Sequence, residues 1–319
     1  MKKSAKVSQY LNRGWEFRLA DGKDWLVANV PGNIHLDLIN NGLIPDPFYG
    51  NNESELQWIS GRDWTYRLLF TPDKEIQDRK NKEICFHGID TYADIFLNNK
   101  KIISSNNMFH PWTANVNDIL LPGMNELMIL LRSPINEVLP LMESLGHTLP
   151  AENDQAGKTS PFTRKASYHY GWDWGPCFVT SGIWKKVELF AWDHWQLTDV
   201  SITNSKVNDS KAELNIYANL ISNIQEDGKI IVTESKTGKS IEYPIQIREG
   251  NNELEYSFTI YDPKLWWPAG HGGQPLYDFT LLLLLSDYEQ IVEKRIGIRE
   301  VSIKREKDEK GESFEIHVN

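Results

Sequence analysis

Over the first 190 positions apolar and polar residues alternate in short runs, the period-2 signature of half-buried strands. Strands are expected at 64–70, 84–89, 93–97 and 126–132. Asn98-Asn99 between two of them suits a tight hairpin turn that needs positive φ, and Pro122-Gly123-Met124-Asn125 marks another turn. The charged gap 73–83 reads as a hairpin loop. Two segments change period. Asn33 is placed to cap a short helix carrying Ile34, Leu36, Leu38 and Ile39 and ending near Gly42. Ile135, Val138, Leu139, Met142 and Leu145 also fall at helical spacing, with Pro134 at the start and Gly146 at the stop. Phe178-Val179 and 184–190 read as closing strands. From about Leu197 the pattern is uniformly β, with strands expected at 199–203, 212–220, 229–234, 254–260, 277–285 and 292–298. Turns at Asn208-Asp209, Asp227-Gly228 and Gly250-Asn251 separate them. Short strands at this spacing predict a sandwich of immunoglobulin type. Residues 192–195 are the expected junction, and no internal repeat stands out.

A chain of 319 residues is comfortable for two domains. Its 40% apolar and 24% charged content is ordinary for a soluble globular protein. The formal charge of −10 argues against nucleic acid or an anionic membrane surface as partner. Twelve Trp is a high count, and indole faces suit stacking on sugars. No run approaches the roughly 20 apolar residues of a membrane span. The two N-terminal Lys are not followed by an apolar region, so no secretory signal is expected, and the compartment stays open. Cys85 lies in an apolar run and reads as a small buried hydrophobe; spacing does not say whether it pairs with Cys177.

The densest chemistry is Tyr168-His169-Tyr170-Gly171-Trp172-Asp173-Trp174-Gly175-Pro176, where five of nine residues carry rings around one carboxylate. A core strand avoids Pro and paired Gly, and a plain surface loop does not carry this much aromatic area. The stretch therefore reads as a loop without regular backbone that offers ring faces and one anionic acceptor. A sugar matches both: its C–H face packs on indole, and its hydroxyls donate to a carboxylate. On an extended strand Trp172 and Trp174 share one face and Asp173 points to the other; positive φ at Gly171 and Gly175 relaxes that limit. The plainer alternative is that both Trp close one end of a sandwich core and Asp173 caps a turn.

Other chemistry is weakly signalled. Glycoside hydrolysis needs two carboxylates flanking one bond. The pairs Asn52-Glu53, Asn125-Glu126, Asn136-Glu137 and Asn252-Glu253 sit in turns or at element starts and read as structural. Gly-x-Ser-x-Gly, His-Glu-x-x-His and Cys-x-x-Cys are all absent. His35, His87, His110, His147, His169 and His271 are scattered and read as hydrogen-bonded structural residues. Neither a metal nor a cofactor is expected. Gly270-His271-Gly272-Gly273 follows Trp266-Trp267-Pro268-Ala269 rather than lying between strand and helix, so it is no phosphate loop.

Several of these segments resemble glycoside hydrolase family 2 β-mannosidases. Val30-Pro31-Gly32-Asn33-Ile34-His35 through Gly42-Leu43-Ile44-Pro45-Asp46-Pro47-Phe48-Tyr49-Gly50 is similar to their start. Gly88-Ile89-Asp90-Thr91-Tyr92-Ala93, Leu97-Asn98-Asn99 and Asn107-Met108-Phe109 resemble their sugar-binding-type sandwich. Leu265-Trp266-Trp267-Pro268, Pro275-Leu276-Tyr277 and Arg295-Ile296-Gly297-Ile298-Arg299 resemble the end of their immunoglobulin-like domain. The 168–176 stretch resembles the segment that separates β-mannosidases from the family's β-galactosidases and β-glucuronidases. The resemblance implies a mostly β chain: a galactose-binding-like jelly-roll sandwich over 1–194, an immunoglobulin-like sandwich over 195–305, and a lead-in over 306–319 to a (β/α)8 barrel carrying both catalytic Glu. On that footing no catalytic residue lies in this chain, and it is expected to be inactive alone. Trp172 and Asp173 are the implied substrate contacts, with Tyr170 and Trp174 as candidate lining residues. The implied partners are a β-mannoside glycan and the barrel. A free-standing carbohydrate-binding module and another family 2 specificity are the competing expectations.

Overall fold

The strand Asn125–Leu131 shows how the alternation becomes a sandwich. Leu127, Ile129 and Leu131 are fully buried, and the residues between them are only partly covered. A computed structural model describes residues 3–319 of the chain. Asn125–Leu131 pairs antiparallel with Trp64–Phe70 on one side and Tyr92–Leu97 on the other. The sheet runs Leu26–Val27, Trp15–Leu19, Trp64–Phe70, Asn125–Leu131, Tyr92–Leu97, Lys100–Asn106. A second sheet runs Lys6–Tyr10, Val187–Trp192, Asn81–Phe86, Trp112–Asn115. Side chains from both sheets, among them Trp15, Phe17, Trp64, Tyr66, Ile84, Phe86, Ile95 and Leu189, form one core cluster. Each such side chain contributes about 1.5–3 kcal/mol on burial. Apart from the strand-end residues Lys6 and Trp192, these elements belong to a compact unit over residues 7–191.

The helix Ile34–Asn40 is capped as its sequence implies: the Asn33 side chain accepts from the Leu36 N–H at 3.1 Å. Asn98 and Asn99 take φ of 50° and 65° in their hairpin turn. The expected helix over 135–145 is shorter, spanning Leu139–Leu145 and ending at Gly146 with φ of 72°. Pro140 sets its start, since a proline deeper in the helix would lack an N–H and clash with the preceding turn. Residues 73–83 are more than a loop, for they hold the one-turn helix Lys74–Gln77 and the beginning of Asn81–Phe86. Phe178 and Val179 form no strand, and the run expected at 184–190 is paired as Val187–Trp192.

The second compact unit comprises 192–319 with residues 3–6. Trp195–Val207, Lys211–Ser222 and Gly250–Tyr261 form one sheet. Lys3–Ser4, Tyr288–Ile296, Tyr277–Leu285, Glu226–Glu234 and Ser240–Ile247 form the other, in that order. Inward residues of both meet in one core with Ile216, Phe258, Phe279, Leu281 and Leu283. The strand Ser240–Ile247 was not expected. Its Pro244 is tolerated because this strand lies at the sheet edge, where the missing N–H interrupts no central ladder. A hairpin of Val301–Lys304 and Glu315–Val318 ends the described chain.

Candidate functional site

Residues 168–176 are better ordered than their Gly and Pro content implies. After a short 3-10 turn at Ser167–His169, Tyr170–Trp172 pairs antiparallel with Gly175–Cys177, leaving Asp173 and Trp174 at the tip. Gly171 takes φ of 91°, and a Cβ there would stand 3.0 Å from the Gln155 side chain. Gly175, expected to share this freedom, does not have positive φ. Side chains from outside fix both strands. Gln155 clamps the first: its backbone N–H donates to the Tyr170 carbonyl at 2.8 Å and its Nε2 to the Trp172 carbonyl at 3.1 Å. On the returning strand the Cys177 N–H donates to Glu53 Oε1 at 2.6 Å, and Gln57 Nε2 donates to the Cys177 carbonyl at 2.8 Å.

The hairpin carries its indoles outward. Trp172 is 40% exposed and Trp174 81%, with ring centroids 5.3 Å apart at an interplanar angle of 57°. Neither closes the sandwich core. With Ser167, Tyr168, His169, Gly175, Pro176 and Phe178 they line a cavity of about 500 Å³, within the range of small-molecule sites. Phe178 is held edge-on by Phe48 at 5.3 Å and by His35 at 5.6 Å. Asp173 is exposed at the tip, outside the cavity lining, and no hydrogen bond or ion pair engages its carboxylate among the described residues. Tyr170 differs from its expected place: it is 1% exposed and packs beneath the hairpin with Ala156, Cys177 and Val179. It lines a smaller hollow of about 250 Å³ on the side of Asp154 and Ser160. Burial pushes its phenol up, and pushes the Cys177 thiol up to about 12.

Below the cavity lies a polar cluster that sequence reading did not assemble. The Lys165 ammonium is fully buried, pairs with Asp90 Oδ2 and donates to the Thr180 carbonyl at 2.7 Å. Lys165 precedes the hairpin and Thr180 comes after it, so one ammonium ties both sides of its neck. Thr91 Oγ1 donates to Asp90 Oδ1. Asp90 is further fixed by reciprocal backbone hydrogen bonds with Gly182, both 2.9 Å. His35 Nδ1 meets Thr180 Oγ1 at 2.9 Å, and His169 Nδ1 lies 3.7 Å from Asp90 Oδ2. Burial, reinforced by the Lys165 charge, lowers both imidazoles from 6.5 to about 4. Burial also lowers Lys165, against the pull of Asp90. The members come from positions 35, 90, 165, 169 and 180, and only the fold brings them together. Among the described residues no group of three or more His, Cys, Asp or Glu is placed to hold a metal ion.

Each of the two units matches a known family description. "Glycosyl hydrolase 2 galactose-binding domain-like" matches residues 15–185, and "Glycosyl hydrolases family 2" matches residues 195–299. The chain belongs to glycoside hydrolase family 2. Within this family, a β-mannosidase B of Thermothelomyces thermophilus is 34% identical over 97% of the chain, and one of Emericella nidulans is 31% identical over 97%. A solved β-D-mannosidase of Dictyoglomus thermophilum is 39% identical and superposes with a TM-score of 0.90 over 98% of the chain. An exo-chitosanase of Amycolatopsis orientalis, at 18% identity and a TM-score of 0.72, shares the fold. The chain spans only 36% and 37% of the two curated relatives and 39% of the solved mannosidase. The family 2 assignment bears out the immunoglobulin-like sandwich expected from the strand pattern and, before it, the sugar-binding-type sandwich that the resemblance implied.

Proposed function

We propose that this family 2 chain is the front part of a retaining exo-β-mannosidase and that Trp172 and Asp173 help hold the terminal β-linked mannose. The observation that carries the reading is the hairpin. It sets two exposed indoles over a cavity of about 500 Å³ and leaves an unengaged carboxylate at its tip. The chain that bears it is 34% and 39% identical, over nearly its whole length, to proteins named β-mannosidases. A pyranose stacks its C–H face on indole and donates hydroxyls to carboxylate. Trp174 extends the stacking surface; Tyr170 supports the hairpin from below.

On this reading the bond-breaking carboxylates lie in a barrel C-terminal to residues 306–319, with 1–194 and 195–305 as the two preceding domains. Retention needs two carboxyl groups about 5–5.5 Å apart. The Asn-Glu pairs here have other occupations: Glu53 accepts from Cys177, and Glu137 is bidentate with Arg132. This chain contributes to holding the glycan, and the barrel cleaves it.

The test is to read the gene past the codon for Asn319, express its full-length product and assay an aryl β-mannoside. Turnover is expected from that product and not from the 319-residue chain alone. Asp173→Ala in the full-length product should lower kcat/KM about ten- to hundredfold, the scale of one lost charged hydrogen bond. A product that prefers a β-galactoside or β-glucuronide would overturn the reading.

A further inference from the structure

His169 is the one imidazole among the residues that line the cavity, and its side chain is only partly covered. Nδ1 is buried without a hydrogen-bond partner and looks toward Asp90 Oδ2 at 3.7 Å. His169 and Trp172 both line the cavity, and Nε2 stands on the side of the ring away from the buried Nδ1. Tyr168 packs against it nearly perpendicular, with centroids 4.8 Å apart, which fixes the plane of the imidazole.

Which nitrogen of a neutral histidine carries the proton is set by what the other edge meets. Asp90 is held in place by Lys165 on one carboxylate oxygen and by Thr91 on the other. A carboxylate facing Nδ1 favours the tautomer whose N–H dipole points at it. Nε2 is then left with a lone pair, and a neutral imidazole offers that nitrogen only as an acceptor. The remaining charge nearby, on Lys165, opposes protonation of the ring, and burial acts in the same direction. A sugar in this cavity presents hydroxyl donors, so an acceptor among the lining residues complements the indoles.

We propose that His169, with its proton on Nδ1 toward Asp90, accepts a hydrogen bond through Nε2 from a hydroxyl of the sugar that stacks on Trp172. Asp90 acts through His169 as a positioning residue, and Lys165 keeps Asp90 in place. The inference rests on the mannosidase reading and adds a contact to it.

Two measurements test it. Long-range ¹H–¹⁵N spectra of the 319-residue chain at neutral pH, with the His169 signals assigned by their absence in His169→Gln, should show the Nδ1–H tautomer. The Nε2–H tautomer overturns the proposal whatever the activity. In the full-length product, His169→Phe keeps the ring and removes the acceptor, and kcat/KM for an aryl β-mannoside should fall about ten- to hundredfold. His169→Gln restores an acceptor and should recover much of that loss. One monodeoxy mannoside should cost the wild type about tenfold and cost His169→Phe nothing further. An active wild type with His169→Phe unchanged, or with every deoxy penalty intact in that variant, overturns the proposal alone. A wild type inactive on mannosides removes the functional reading and this proposal with it.

Discussion

At the scale of single residues, His35 and His169 make stability depend on pH in a defined direction. Their folded-state pKa of about 4 lies below the ordinary 6.5. Between those values the unfolded chain binds more protons than the folded one. Their contribution is therefore complete above pH 6.5 and is lost as pH falls toward 4. At about 1.4 kcal/mol per pKa unit the loss is on the order of 3 kcal/mol for each at most. Thermal unfolding between pH 7 and 4.5 should show Tm falling, and His35→Gln or His169→Gln should flatten the fall; a slope unchanged in both variants would refute this origin. Lys165→Met should be harsher at any pH. It leaves Asp90 buried and unpaired, a loss of about 3–5 kcal/mol, while the Asp90→Asn/Lys165→Met pair should recover part of it in a denaturant titration. Trp172 and Trp174 stood out in the sequence as candidates because their type and density are unusual, and both line the cavity. Asp90, Lys165 and His169 were not. Each is an ordinary residue in its own neighbourhood, and their chemistry arises from proximity between distant stretches of chain.

Elements show a different balance between what is written locally and what is not. In Tyr277–Leu285 five consecutive leucines give no alternation to read, yet Leu281, Leu283 and Leu285 are fully buried and the two between them are not. The pleat imposes the period that composition conceals. Trp64–Phe70 and Tyr277–Leu285 fall where the pattern placed them. Pro134 suggested an early start for a helix that Pro140 delays, and the edge strand Ser240–Ile247 was not expected. The 170–177 hairpin was hidden by its glycines, because turn chemistry and strand pairing look alike when strands are three residues long. Gly171→Ala tests that element: positive φ with a Cβ costs about 1–2 kcal/mol, and crowding of Gln155 adds to it. The expected sign is a weakened exciton couplet from Trp172 and Trp174 in circular dichroism, with Tm lowered by only about 2–8 °C. An unchanged couplet would show that the Gln155 clamp does not hold the pair.

On the scale of the whole molecule, the fold class was readable because both units are built from strands whose inward residues recur at period two. Each closes over its own core, 7–191 in one case and 192–319 with residues 3–6 in the other. Within the second core, Leu283→Ala should cost about 2–5 kcal/mol, measurable as a shifted denaturation midpoint; a loss below about 1 kcal/mol would mean that the site collapses around the gap. The N-terminal strand Lys3–Ser4 could not have been assigned from sequence, since its partner Tyr288–Ile296, which it joins in parallel, lies near the other end of the chain. The share of relatives covered by this chain, 36–39%, also has a functional side. On the proposed reading, sugar recognition and bond cleavage draw on different stretches of polypeptide, so aryl β-mannoside turnover is expected only from the longer product.

The single ammonium that joins Lys165, Asp90 and the Thr180 carbonyl separates two kinds of inheritance. Everything beyond it, from Trp172 to Gly175, makes one side-chain hydrogen bond to its surroundings among the described residues, the one from Gln155 to the Trp172 carbonyl, and that bond reads no side chain of the tip. The neck is locked while the tip is free to drift. A library randomised at Trp172, Asp173 and Trp174 should therefore yield folded proteins at high frequency, whereas one at Asp90, Lys165 and Thr180 should not. On the proposed reading the hairpin is a transplantable cassette: tips taken from family 2 relatives should be exchangeable on this stem without redesigning the sandwich beneath.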